Sequence, residues 1–226
     1  MKIKALAPDD LRATLPLYTI REAAGFLDLP VSTLHNWIKP PEGKPLVSTL
    51  PVKGHAPRVS FVGFAEAFVV AAARKRGLST RELHEGVEGI AADWGIQHAL
   101  ANRLIYMDNK LYLGVRDPQG DHHERARDRQ LQMIEAVKSE IQFIEFGGDD
   151  YADRITLPAF NTDVVVSPFV AGGQPIVRRS GIRVADVARR YAVKKESVGY
   201  IAEDFGLTED EVLDLAHATP AGTAPR

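Results

Sequence analysis

The chain has no cysteine. That excludes disulfides, thiolate metal sites and a cysteine nucleophile. A long hydrophobic run is also missing. The longest apolar stretch, Phe61 to Ala73, is broken by Glu66 and falls short of the roughly 20 residues that a membrane-spanning helix needs. No apolar segment follows Met1-Lys2-Ile3-Lys4, so no secretory leader is expected and the chain reads as cytoplasmic, with no membrane partner. There is no P-loop, no G-x-G-x-x-G and no nucleophile motif. Nothing therefore argues for an enzyme, and no catalytic residue, cofactor or metal is expected.

Charge of one sign is lacking overall, at a net −2 over 226 residues. The distribution is less even. Residues 1–77 hold 11 Lys/Arg and 6 Asp/Glu, a net of +5, and residues 194–226 hold 3 and 7, a net of −4. A basic amino-terminal part and an acidic carboxy-terminal part point to different partners for the two ends.

The most informative stretch is Tyr18 to Pro41, YTIREAAGFLDLPVSTLHNWIKPP. Thr19 and Glu22 have the capping-box spacing. Ile20, Ala23, Ala24 and Leu27 share one helical face. Asp28-Leu29-Pro30 ends that helix, because the residue before a proline is pushed out of the helical region. Ser32 is expected to cap a second helix with Leu34, Trp37 and Ile38 inward and His35, Asn36 and Lys39 outward; Pro40-Pro41 ends it. Two short helices joined by a tight turn, the second with a polar outer face, form a helix-turn-helix. Leu46–Leu50 and Arg58–Phe61 are expected as two short strands around Lys53, Gly54 and His55, which would make a wing. Ser60 caps an all-round apolar helix, Phe61 to Arg76, which must be covered on more than one side and could meet a second copy of the chain.

Further on, Ser79 and Glu82 open another helix. Leu104 to Val115 reads as a hairpin, and Glu124 to Phe146 as a long amphipathic helix that includes Ile144. Ile155–Leu157 and Asp163–Ser167 read as short strands. Helices are expected at Val184–Tyr191, from Lys194 or Glu196 to Gly206, and after Thr208 with Glu211 as its capping-box partner. The fold class is mainly α with small β-hairpins: a winged helix-turn-helix domain (1–77), an α/β middle region that connects or dimerises (78–164), a trihelical, helix-turn-helix-like unit (165–217) and a disordered tail (218–226).

Tyr18 to Arg76 resembles the MerR-type winged helix, in YTIREAAGFLDLPVSTLHNW, the proline-rich wing and the apolar helix ending in RKRG. It departs from that type at His35 and Asn36, where an arginine is common. From Val165, VVSPFVAGGQPIVRRSGIRVADVARRY and VGYIAEDFGLTEDEV resemble a small domain of unknown function found in bacterial antitoxins. The two together, in this order and at this length, look like the large VapB-type antitoxins. That resemblance implies operator DNA and a PIN-domain ribonuclease toxin as partners. A MerR-like regulator answering a small molecule is the alternative.

Candidate DNA contacts are Arg21, Ser32, Thr33, His35, Asn36 and Lys39, with Lys44, Lys53, His55 and Arg58 on the wing. Asparagine can pair with adenine, and Ser, Thr, Lys and Arg can hold phosphates. The bland alternative is an ordinary solvated face. Trp37 reads as core. Arg178, Arg179, Arg183, Arg189 and Arg190 could enter the carboxylate cluster of a PIN-type toxin, pair with the acids around them, or contact DNA through a second helix-turn-helix-like unit. His122-His123 lacks a third ligand and reads as polar loop. A homodimer is expected from the apolar helix and from the usual pairing of helix-turn-helix domains on two half-sites.

Overall fold

The computed structural model describes residues 5–41, 44–52, 54, 56–94, 97–103 and 140–217. The hairpin expected at Leu104–Val115, His122-His123, the first part of the helix expected from Glu124, and the tail 218–226 lie outside the described residues.

A one-turn helix, α1 (Leu11–Thr14), leads into α2 (Ile20–Phe26) and α3 (Val31–Ile38). The capping box forms: Glu22 N–H donates to Thr19 Oγ1 at 3.1 Å and Thr19 N–H to Glu22 Oε2 at 2.8 Å. At the other end of α2, Asp28 adopts a left-handed conformation (φ 52). Asp28 N–H reaches Gly25 O at 3.1 Å and Leu29 N–H reaches Ala24 O at 2.9 Å, a Schellman motif with aspartate where glycine is usual. This sharp exit delivers Pro30, whose φ of −58 starts α3. Ser32 is therefore not the cap. It sits inside the first turn, and α3 has no side-chain cap.

Helix α4 (Phe61–Lys75) is capped by Ser60, and every residue from Phe61 to Ala73 is buried. Its cover comes from this chain, from α1, α5 (Thr80–Trp94), the turn at Ala99–Ala101 and the sheet, so the apolar face leaves no argument for a second copy. Ser79 and Glu82 cap α5 as expected. Gly77 (φ 94) ends α4 with Leu78 N–H on Ala73 O. Gly63 lets α4 touch the preceding loop: a Cβ there would stand 2.3 Å from Ser48 O. Gly63→Ala is expected to cost about 1–3 kcal/mol through overpacking, outweighing the ~1 kcal/mol that alanine adds as a helix former. The reading is a lower urea midpoint at constant m-value; an unchanged midpoint would mean that Ser48 yields freely.

The expected wing does not form a two-strand ladder among the described residues. Leu46 and Val47 N–H groups turn back to Trp37 O, and only Leu50 N–H crosses to Arg58 O, at 2.8 Å. Four prolines between Pro40 and Pro51 cannot donate to a ladder. Val59 instead bridges to Tyr18.

The sheet is antiparallel in the order β1 (Ile144–Phe146), β2 (Ala152–Thr156), β3 (Val164–Val166), β4 (Ile176–Val177). Residues 144–146 are thus strand, not the end of a helix: Ile144 pairs with Ile155 and Glu145 with Arg154. Gly147-Gly148-Asp149-Asp150 is the hairpin turn, with Asp150 at φ 67. The sheet also runs across residue 165, where a domain boundary was expected.

The trihelical unit is α6 (Val184–Ala192), α7 (Val198–Phe205) and α8 (Glu209–His217). Helix α7 starts later than expected, because Ser197 caps it and Lys195 is left-handed (φ 57). Gly206 (φ 62) closes it. Thr208 and Glu211 form the capping box of α8. Asp214 ties α8 to the β2–β3 loop by accepting from Thr162 N–H at 2.7 Å and Asn161 N–H at 3.1 Å. No described helix is long and apolar enough to cross a membrane.

Candidate nucleic-acid interface

Helix α3 stands on Leu34 and Trp37, both buried. That seam turns Val31, Ser32, His35, Asn36 and Lys39 outward, all exposed. Positions 32, 35, 36 and 39 follow the i, i+3, i+4, i+7 rule and form one face. Thr33 is half-buried at the edge of that face, and Arg21 is exposed on the first turn of α2. Five of the expected contacts thus lie on α3 or at its C-cap, and Arg21 stands on α2.

The loop residues divide differently. Lys44 is exposed, 3.6 Å from Glu88 across open surface, a pairing that contributes little. Arg58 is half-buried and donates to Gly54 O at 2.8 Å and Val52 O at 3.3 Å. Its guanidinium therefore holds the loop closed. Lys53 and His55 lie outside the described residues.

Behind this face lies a polar cluster that sequence reading missed. Glu66, on buried α4, accepts from Ser48 N–H at 2.7 Å and Ser48 Oγ at 2.6 Å, and its other oxygen lies 2.9 Å from His98 Nδ1. A glutamate interrupting an apolar helix was the available signal. A cavity of about 410 Å³ opens beside the cluster, lined by Ile38, Leu46, Ser48, Val87 and Leu100 among others.

The hydrogen bond to Glu66 raises the His98 pKa, against a smaller opposing effect of burial. A raised folded-state value stabilises fully below the unfolded value of about 6.5 and loses that contribution as pH climbs through the folded value. The melting temperature is expected to fall over that window in the native chain and to fall less in His98→Gln. Parallel curves would remove His98 from the balance.

The five carboxy-terminal arginines do not form one patch. Arg178 donates to Asp163 at 2.8 Å and Thr156 at 2.9 Å and also pairs with Glu145, bracing the sheet. Arg179 pairs with Glu211 at 2.6 Å and Gly206 O at 2.9 Å. Arg190 is buried between Glu196 and Asp204 and lies over the Tyr200 and Phe205 rings. Arg189 makes a long i, i+3 pair with Asp186. Arg183 is exposed and has no ion-pair partner among the described residues.

A two-helix unit with a buried seam and a solvent-facing second helix, set in a basic amino-terminal region, defines a helix-turn-helix DNA-binding domain. Comparison with known proteins agrees. Residues 16–84 match the family described as "Putative DNA-binding HTH domain", and residues 164–217 match "Protein of unknown function (DUF433)". The chain is 31% identical to "Putative antitoxin VapB45" of Mycobacterium tuberculosis, over 94% of this chain and 97% of that one. It is also similar to the X-ray crystal structure of Rv2018 from Mycobacterium tuberculosis, at 30% identity and a TM-score of 0.74, covering 91% of this chain and 99% of that one. The chain belongs to the family of large VapB-type antitoxins.

Proposed function

We propose that this antitoxin-family chain binds the operator DNA of its own operon through α2 and α3, and neutralises a PIN-domain ribonuclease toxin by direct contact. It acts as a homodimer in the cytoplasm and is a regulator, not an enzyme. The observation that carries the DNA half is the exposed face Ser32, His35, Asn36 and Lys39 on a helix held by Leu34 and Trp37. Arg21 on α2 and Lys39 at the end of α3 are the phosphate contacts. The dimer reading rests on half-site geometry alone.

The toxin half rests on the family and on charge. A PIN-type site is acidic, and Arg183 is the carboxy-terminal arginine left open to a carboxylate partner among the described residues. Co-expression with the product of the adjacent reading frame tests it: the two proteins are expected to co-purify, and the neighbour to be toxic alone. Failure of both sinks the antitoxin reading. Arg21→Ala with Lys39→Ala is expected to weaken operator binding and lower the salt slope by about one per lost phosphate contact. An unchanged slope removes both residues from the interface.

A second reading is a transcriptional regulator that answers a small molecule. The cavity beside Ser48, Glu66 and His98 favours it, because its wall includes Ile38 at the end of α3. A neighbouring metabolic or efflux gene, with no toxic neighbour, would support that reading instead.

A further inference from the structure

We infer that the reading face of α3 selects adenine·thymine pairs in the major groove, with Asn36 reading adenine and Val31 reading the thymine methyl group. This rests on the DNA-binding role proposed above and specifies what that site reads.

The inference comes from what stands on the face and what does not. Residues 31–39 contain no arginine. Bidentate pairing of arginine or lysine with guanine O6 and N7 is the commonest specific contact in the major groove. The single cation of the stretch, Lys39, comes after the last helical residue, with a backbone that has left the helix (φ −133). It is eight residues beyond Val31, about 12 Å along the axis at 1.5 Å per residue. A recognition helix meets base edges with its N-terminal residues, so Lys39 falls toward the duplex backbone. Arg21 stands on α2, the helix that crosses the backbone in this motif. Neither guanine-pairing cation is placed where bases are read.

What is placed there favours the other pair. Val31, the first residue of α3, is 42% exposed, although it is β-branched and apolar. Pro30 ahead of it is exposed and short, as is Ser32 behind it, so no longer side chain keeps the start of the helix from the groove floor. The valine methyls suit the C5-methyl of thymine, the apolar landmark of the major groove. Five residues on, about 140° round the helix and ~7.5 Å along it, Asn36 stands at the opposite edge of the exposed side; its amide offers one donor and one acceptor, the complement of adenine N7 and N6. Ser32 and His35 can pair with more than one base and set no preference.

The test uses the full-length chain and a randomised duplex library at low salt. Retained sequences are expected to share adenine and thymine within each half-site. On such a site, replacing the thymines by deoxyuridine removes the methyl groups and is expected to weaken the native chain several-fold but leave Val31→Ser, which has no apolar methyl to offer, unaffected. Replacing adenine by 7-deazaadenine removes N7 and keeps N6, and is expected to weaken the native chain by roughly 2- to 12-fold, the net worth of one hydrogen bond, and leave Asn36→Ala unaffected. Both side chains are exposed, so equal melting temperatures separate loss of contact from loss of fold. A shared motif made of guanine and cytosine, or indifference of the native chain to both base analogues, overturns the inference while leaving DNA binding intact. If no duplex is retained at low salt, the DNA-binding role itself is overturned, and this inference with it.

Discussion

Arg12→Met is expected to lower the unfolding free energy by about 3–5 kcal/mol at neutral pH, the range for breaking a buried ionic group by removing one partner. Arg12 is among the few buried charged residues. Its guanidinium pairs with Asp10 and Asp153, each at 2.7 Å, and with Asp149. Methionine keeps most of the apolar stem but leaves three carboxylates together without their cation. Asp153 is the most exposed of the three at 36%, so water screens its share, and the loss centres on Asp10 and Asp149. Hydrogen bonds from Arg12 hold both of those below the usual carboxylate range, whereas burial lifts Asp153. A depressed value contributes stability that is present above about pH 3.9 and is lost as pH falls through it. The native chain therefore weakens in acid, while protonation relieves the repulsion in the variant. The gap between their urea midpoints is expected to be wide at pH 7 and to narrow toward pH 4. Equal midpoints at pH 7 would mean that the carboxylates find other partners.

That cluster also shows why part of the fold was open to sequence reading and part was not. The capping boxes at Thr19/Glu22, Ser79/Glu82 and Thr208/Glu211 all form, because each is settled within four residues. The outward face of α3 follows from helical period alone. Gly77 and Gly206 end their helices for the same local reason. Arg12 gives no such signal, since two of its partners are 137 and 141 residues away. Gly147-Gly148-Asp149-Asp150 can end a helix or turn a hairpin, and the three-residue strand before it is too short to show a period of two; pairing with β2 decides the matter. The wing was over-read because alternating residues suggested strands while prolines removed the donors. The bonds from Arg58 to its loop carbonyls are invisible to spacing. Four of the five carboxy-terminal arginines meet acids from other turns or strands, which charge counting anticipated only as an alternative.

Tyr18→Ala is expected to cost about 3–5 kcal/mol, the range for removing a large buried aromatic. Tyr18 is fully buried, with its ring 5.1 Å from Phe64 and 5.8 Å from Phe26. Its backbone bonds to Arg58 and Val59, and its hydroxyl donates to Gly173 O at 2.7 Å. Burial drives the phenol pKa far above its ordinary value, so this donor keeps its proton throughout the working range. Gly173 lies between β3 and β4, and Tyr18 immediately precedes the cap of α2. One side chain thus joins the DNA-binding domain to the domain that carries α6, α7 and α8. Tyr18→Phe isolates the hydroxyl, because it keeps the ring and leaves the buried Gly173 carbonyl unpaired, at a cost of about 1–3 kcal/mol. Hydrogen exchange distinguishes a local loss from a joint one. If the bond couples the two domains, Tyr18→Phe speeds exchange both in α2 to α4 and in the residues around Gly173. Faster exchange in α2 to α4 alone would make Tyr18 a core residue of the first domain whose hydroxyl merely happens to reach the second.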